Sequence, residues 1–238
     1  MASVAEAVPS AQQRERVFFF VMALAIAATV VPAFWLFHQA GFSSFGAPWW
    51  VHVHAVTFMG WVGFYLVQNT LIWRGDVARH QWLGRIGAGY VVWMVLVGLA
   101  LTPTTIAFHR APPFFTPAFF LALDWTNIAV FAGLMTAALL NRHRSDWHKR
   151  LMLCATVCVM APAWGRLIVL AGHQMTATLN VAVLLPYIVV GMAFDLATRR
   201  RIHPAWFWGF GALVAMAVTI PLVAAIPPFA SFANAIAG

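Results

Sequence analysis

The sequence predicts an all-α fold, a polytopic integral membrane bundle of seven transmembrane helices. Two compositional observations and one pattern predict it. Of 238 residues, 63% are hydrophobic and only 8% are charged, whereas a soluble chain carries roughly a quarter charged residues. The apolar residues gather into seven runs, at 17–38, 50–73, 82–104, 116–140, 149–172, 177–198 and 204–227. Each is near the ~20 residues that cross a hydrocarbon layer. None alternates as a barrel strand would, and an open sheet edge finds no partner in lipid, so the runs read as helices. The pattern is the placement of Lys and Arg. Arg14, Arg16, Arg74, Arg79, Arg85, Arg142, Arg144, Lys149, Arg150, Arg199, Arg200 and Arg201 gather at one end, against Arg110 at the other. The positive-inside rule then places the N-terminus in the cytoplasm and the C-terminus outside.

This divides the chain into a disordered cytoplasmic tail, residues 1–13, and a single seven-helix membrane domain, residues 14–238. The connections are too short to form an extramembrane domain. The net charge of +8 is largely the same bias added up. It suits anionic lipid headgroups and excludes nucleic acid as the expected partner. The first run is long enough to span and lacks a following small-residue cleavage site, so it reads as a helix rather than a signal peptide.

The spans are taken in order. The first follows Arg14 and Arg16 and ends at His38. The second opens on the interfacial pair Trp49 and Trp50 and carries His52 and His54. Two residues apart on a helix is about 200°, so these two imidazoles point to opposite sides. His54 shares a seven-residue stripe with Trp61 and Gln68, which favours it as the inward one, although both converge if the first turn is not helical. The third span starts beside His80 and presents Gly84, Gly87, Val91, Met94 and Gly98 on one face. The fourth carries Asp124, with Asn127 one turn deeper.

The fifth span places Cys154 and Cys158 one turn apart. Two thiols alone make a poor zinc site and an i, i+4 disulfide is strained, so they read as small buried residues. On the same span His148 and Arg166 fall on one face, about five turns apart. Pro162 is expected to kink the helix between them. The sixth span begins near Asn180 and contains Pro186. Its Asp195, like Gln68 and Asn69, lies nearer the basic end and reads as hydrated. The seventh follows His203, with Trp206 and Trp208 in the interfacial belt. The deeper Trp61, Trp93, Trp125 and Trp164 read as packing.

Two polar layers emerge. In the outer layer His54, Asp124 and Arg166 fall at one depth on three different spans, with His52 and Asn180 at a similar level. Charges in hydrocarbon cost several kcal/mol and persist mostly when paired or functional. Either Asp124 and Arg166 clasp two spans together, or they bracket a ligand or proton path with His54 as the titrating member. In the inner layer His80 and His148 each begin a face of small residues. With Gly84 and Gly87 as side-chain-free wall, they are candidate axial ligands of a haem b iron, or the sides of a quinone site, between the third and fifth spans. The alternative is ordinary helix packing. A non-haem metal site at His52, His54 and Asp124 ranks below haem.

The run His52-Val-His54-Ala-Val-Thr-Phe-Met-Gly-Trp61, then Gln68, His80-Gln-Trp-Leu-Gly-Arg85 and His148-Lys-Arg-Leu-Met152 resembles a family of bacterial multi-pass membrane proteins of unassigned function. Its members show HxH, HRxLGR-like and HKRLM motifs. The resemblance covers roughly residues 50–205, with Gln81 departing from the family's usual arginine, and it implies the bacterial inner (cytoplasmic) membrane. A looser likeness to transmembrane b-type cytochromes implies at most one haem, because the fourth span offers Asp124 where a second outer histidine is wanted. The expected function is a redox-active membrane protein binding haem b or quinone. The alternatives are a small-molecule or ion transporter or binder using the outer layer, and an accessory subunit of a larger membrane complex. A retinal protein is disfavoured, since Lys149 sits at an interface.

Overall fold

The computed structural model describes residues 10–238. Among the described residues the chain is all-helical, and seven helical stretches are long and apolar enough to cross a membrane. The expected tail lies outside the described residues over 1–9; from Ala11 onward the chain is already helix. The helices are α1 (Ala11–Gln39), α2 (Trp49–Trp73), α3 (Val77–Ala107), α4 (Pro117–Leu140), α5 (Ser145–Cys158), α6 (Ala161–Leu170), α7 (Ala177–Ala182), α8 (Leu185–Arg199), α9 (Pro204–Ala225) and α10 (Pro227–Ala237).

Polar caps set the starts of several helices, and α1 and α3 thereby begin before the apolar runs that announce them. Ser10 accepts from Gln13 N, Asp76 from Arg79 N and Thr116 from Phe119 N, at 3.1–3.2 Å, each satisfying one of the orphan donors of a first turn. His203 caps α9 by accepting from Ala205 N at 3.2 Å. Burial, and then the nearby Arg150 guanidinium, holds its pKa below the ordinary imidazole range. The ring therefore stays neutral near pH 7 and keeps the lone pair that this cap needs.

The fifth and sixth spans are each broken. Span five splits into α5 and α6 at Val159–Met160, with Pro162 in the first turn of α6. Span six splits into α7 and α8 at Val183–Leu184, with Pro186 in the first turn of α8. Proline lacks the N–H that would continue the ladder and fits a first turn, so each break falls just ahead of its proline. The face shared by His148 and Arg166 is interrupted for the same reason.

Helix α4 is the hub. It packs against α3, α5, α9 and α10, while α1 lies across α2 and α6. Half or more of spans four and five is buried inside the protein, against a third or less of the others, which face outward. Cys154 and Cys158 are fully buried free thiols, as expected. Gly209 of α9 approaches α5 so closely that a Cβ there would lie 2.2 Å from Cys154 Sγ. Of the deep tryptophans, Trp61 packs with Phe64, Tyr90 and Phe131, whereas Trp93, half-exposed on the outward face, and Trp125 donate to Thr57 Oγ1 and Leu99 O. After α9 the chain turns at Ile226, and α10 lies against α3 and α4. There Ala233 meets Ile106, Ala118 and Leu121. The seventh run, read as one span to 227, thus ends two residues earlier, and a further helix follows it.

At the basic end, Arg150 is wholly buried. Its Nε donates to Asp195 Oδ2 at 2.8 Å, Nη1 to the Asp146 carbonyl at 2.9 Å, and Nη2 to Asp195 Oδ1 and Glu15. Lys149 and Arg199 complete the cluster on Glu15 and Asp146. Trp206 Nε1 and His203 N donate to the same Asp195 oxygen. Asp195, expected to be hydrated, is fully buried instead, because Arg150 and Trp206 replace water on both of its oxygens. The cluster ties α1, α5, α8 and α9 together.

Candidate functional site

The outer layer assembles. His54, Asp124, Arg166 and Asn180 line one cavity of about 300 Å³. Its walls come from α1, α2, α4, the α5–α6 break and α7, with Gly98 and Leu101 of α3 at one side. Both broken spans thus reach it. Val159 and Met160 are the break itself, and Asn180 sits on the short helix before the second break.

The two charged residues do not clasp each other. Among the described residues no ion pair within 4.0 Å includes either Asp124 or Arg166. Asp124 Oδ2 accepts from Thr102 at 2.6 Å, and its other oxygen makes no hydrogen bond to protein. Arg166 donates through Nη1 to Pro162 O at 2.8 Å and lies over two rings, its guanidinium carbon 4.0 Å from the Phe34 centroid and 5.2 Å from that of Phe37. Stacking on aromatic faces offsets part of the cost of keeping the cation in an apolar place. Its remaining N–H groups are unspent.

Three further polar atoms are buried on this wall without a partner: His54 Nδ1, Thr156 Oγ1 and Asn180 Nδ2. Buried polar groups are hydrogen-bonded in the great majority of cases, and a group left unmet costs about 1–3 kcal/mol. Three around one cavity, beside a half-used carboxyl and a half-used guanidinium, describe a place built for something polar. His52 does not join them. Its Nε2 lies 3.1 Å from Phe45 O in the α1–α2 connection, because α2 is helical from Trp49 and sends the two imidazoles to opposite sides. The stripe of His54, Trp61 and Gln68 is the inward one.

The inner pair also meets. The rings of His80 and His148 stand 6.5 Å apart, centre to centre, nearly perpendicular. The third and fifth spans are not packed along their length, since α4 lies against both. His148 Nδ1 donates to Ala138 O at 2.9 Å, which leaves a lone pair on its Nε2. An amide's O and N can exchange places; in the orientation that satisfies both ends, Gln68 accepts from Gly84 N at 3.1 Å and donates to His80 O at 3.2 Å and to His80 Nδ1 at 2.6 Å. In the neutral imidazole that donation puts the His80 proton on Nε2. In that orientation the two rings are complementary rather than equivalent, and an iron between them would require His80 to change tautomer. Gly84 faces open space, whereas the notch at Gly87 is filled by Phe64, 2.8 Å from where a Cβ would stand.

No family model, no curated protein and no solved structure matches the chain. The reading of function rests on the site itself.

Thr102 and Thr156 were not legible as site residues in the sequence. Hydroxyls in apolar helices usually bond their own backbone, and nothing in spacing shows that Thr102 meets Asp124. The basic-end cluster had a signal. Only six acidic residues occur in the chain, and Glu15, Asp146 and Asp195 all sit among cations at one end.

Proposed function

We propose that the protein is a membrane-embedded binder or carrier of a small molecule, using the cavity of His54, Asp124, Arg166 and Asn180. One observation carries this reading: unpaired donors and acceptors from four helices converge on one half-open, mostly apolar cavity, which is the composition of a ligand site. The two interrupted spans support a carrier in particular. Irregular backbone at membrane depth is tolerated where it lines a cavity, and transporters place substrates beside broken helices.

The test is to purify the protein in mild detergent and identify what co-purifies, beside Arg166→Gln and Asp124→Asn variants of matched thermal midpoint. The expected result is a small molecule present near one per chain in the wild type, depleted in Arg166→Gln, and depleted or exchanged for a different species in Asp124→Asn. Identical extracts from all three proteins would overturn the reading.

The meeting of His80 and His148 favours a second reading, a redox protein holding haem b at the basic end. The same preparation decides it through its visible spectrum. A Soret band lost on His80→Ala or His148→Ala would support haem, and a colourless protein would refute it. Co-purifying polypeptides without a ligand would point to an accessory subunit. The apolar outer faces suit a lipid bilayer, and the Lys and Arg bias suits the inner membrane of a bacterium with the basic end in the cytoplasm.

A further inference from the structure

The chemistry of the cavity wall narrows the occupant, and this step rests on the cavity being a binding site. The wall makes two opposite demands. Arg166 and Asn180 Nδ2 offer hydrogens, whereas the free Asp124 oxygen requires one. His54 Nδ1 is also unmet and takes either role according to its tautomer. A fatty-acid carboxylate presents acceptors only and would leave Asp124 facing another oxygen, and a phosphate keeps a hydroxyl for Asp124 but must shed the hydration of its charge to enter. An amine presents donors only and would leave Arg166 unmet. An amino-acid zwitterion presents both, but must shed the hydration of two charges to enter. Between the polar groups the wall is aromatic, with Phe34, Phe37, Phe58, Phe114, Phe115 and Phe120 around the space. Offset and edge-on packing against such rings favours a flat aromatic guest.

We infer that the occupant is a lipid-soluble quinone in its reduced form. Its ring lies among the phenylalanines, one hydroxyl accepting from Arg166 or Asn180 and the other donating to Asp124. A hydroquinone hydroxyl both donates and accepts, two of them stand at opposite ends of one flat ring, and the molecule is uncharged. The oxidised quinone has two carbonyls, which satisfy Arg166 and Asn180 but leave Asp124 unmet. The cavity therefore discriminates between the two redox states by hydrogen-bond polarity alone.

The experiment is anaerobic calorimetric titration of the detergent-purified protein with decyl-ubiquinol, decyl-ubiquinone, laurate and phenylalanine. The quinol should bind at one per chain and about tenfold more tightly than the quinone, the difference expected for one hydrogen bond to a carboxyl group. Asp124→Asn keeps an oxygen for Thr102 and presents an NH₂ where the free oxygen stood, so its preference should reverse toward the quinone. Arg166→Gln should weaken both. Retained quinone binding by Asp124→Asn serves as the check on folding. Equal affinity for both redox forms, or unchanged preference in Asp124→Asn, overturns the assignment. Binding of laurate or phenylalanine that depends on Arg166 and Asp124, without quinol binding, also overturns it while leaving the cavity as a ligand site. If no probe depends on these residues and nothing co-purifies, both readings fall.

Discussion

Two arginines, one wholly buried and one half-buried, show how differently one residue type can be used. Arg150 spends its donors on Asp195, Glu15 and a backbone carbonyl. Arg166 spends one donor on Pro162 O and rests on two phenylalanines. The first is a closed structural node, and the second is left open toward a cavity. Removing one partner of a buried ion pair leaves an uncompensated charge and costs about 3–5 kcal/mol, whereas replacing both by apolar groups is often tolerated. Arg150→Met should therefore lower stability by about that amount, and Asp195→Asn added to it, which removes the unpaired charge and keeps an oxygen for Trp206 and His203, should restore a large part. Chemical or thermal unfolding in detergent checks both, and a double variant no better than the single one would contradict the account. The sequence marked Arg166 because it stands deep in an apolar run. It hid Arg150, which sits among the basic residues that set topology. Depth is legible from counting residues, but the direction of a side chain at a helix end is not.

At the scale of elements, the spans were legible because lipid imposes a length and a composition on each. Their ends were less so. Asp76 and Thr116 start helices by capping, and Pro162 and Pro186 divide spans that hydropathy joins. The gathering of His54, Asp124, Arg166 and Asn180 was legible as common depth alone. That they leave a space, rather than close on each other, depends on how α4 and the two broken spans pack. The small residues also act at this scale. Within a membrane, helices approach closely where side chains are small. At Gly209 a Cβ would meet Cys154, and at Gly191 it would fall 2.2 Å from the Trp206 ring, the ring that donates to Asp195. Gly209→Ala and Gly191→Ala should each destabilise by about 1–3 kcal/mol through overpacking. Gly133→Ala, with nothing within 4 Å, should be neutral or slightly stabilising, since alanine favours helix by up to ~1 kcal/mol over glycine. Thermal midpoints of the three variants measure the contrast, which would fail if Gly133 were as costly as Gly209.

At the scale of the molecule, the open question is which end faces the cytoplasm, because it decides from which side the cavity lies nearer. The cavity is built from the end of the bundle away from the Arg150 cluster, reaching Pro112 and Phe114 in the α3–α4 connection and Met175 before α7. The opposite end carries the Lys and Arg excess and the Arg150 cluster. Cytoplasmic loops hold such an excess, and anionic lipid on that face attracts it further. The cavity should then open on the far side of the membrane or laterally into its outer leaflet. Single cysteines read this directly, since the native Cys154 and Cys158 are fully buried and give no background. Ser44 lies exposed in the α1–α2 connection and Arg142 lies exposed between α4 and α5. In intact cells a membrane-impermeant maleimide should label Ser44→Cys and spare Arg142→Cys, which should react only after the membrane is opened. The reverse pattern would turn the molecule over, place the cavity beside the cytoplasm, and make the basic end an exception to the rule that oriented it.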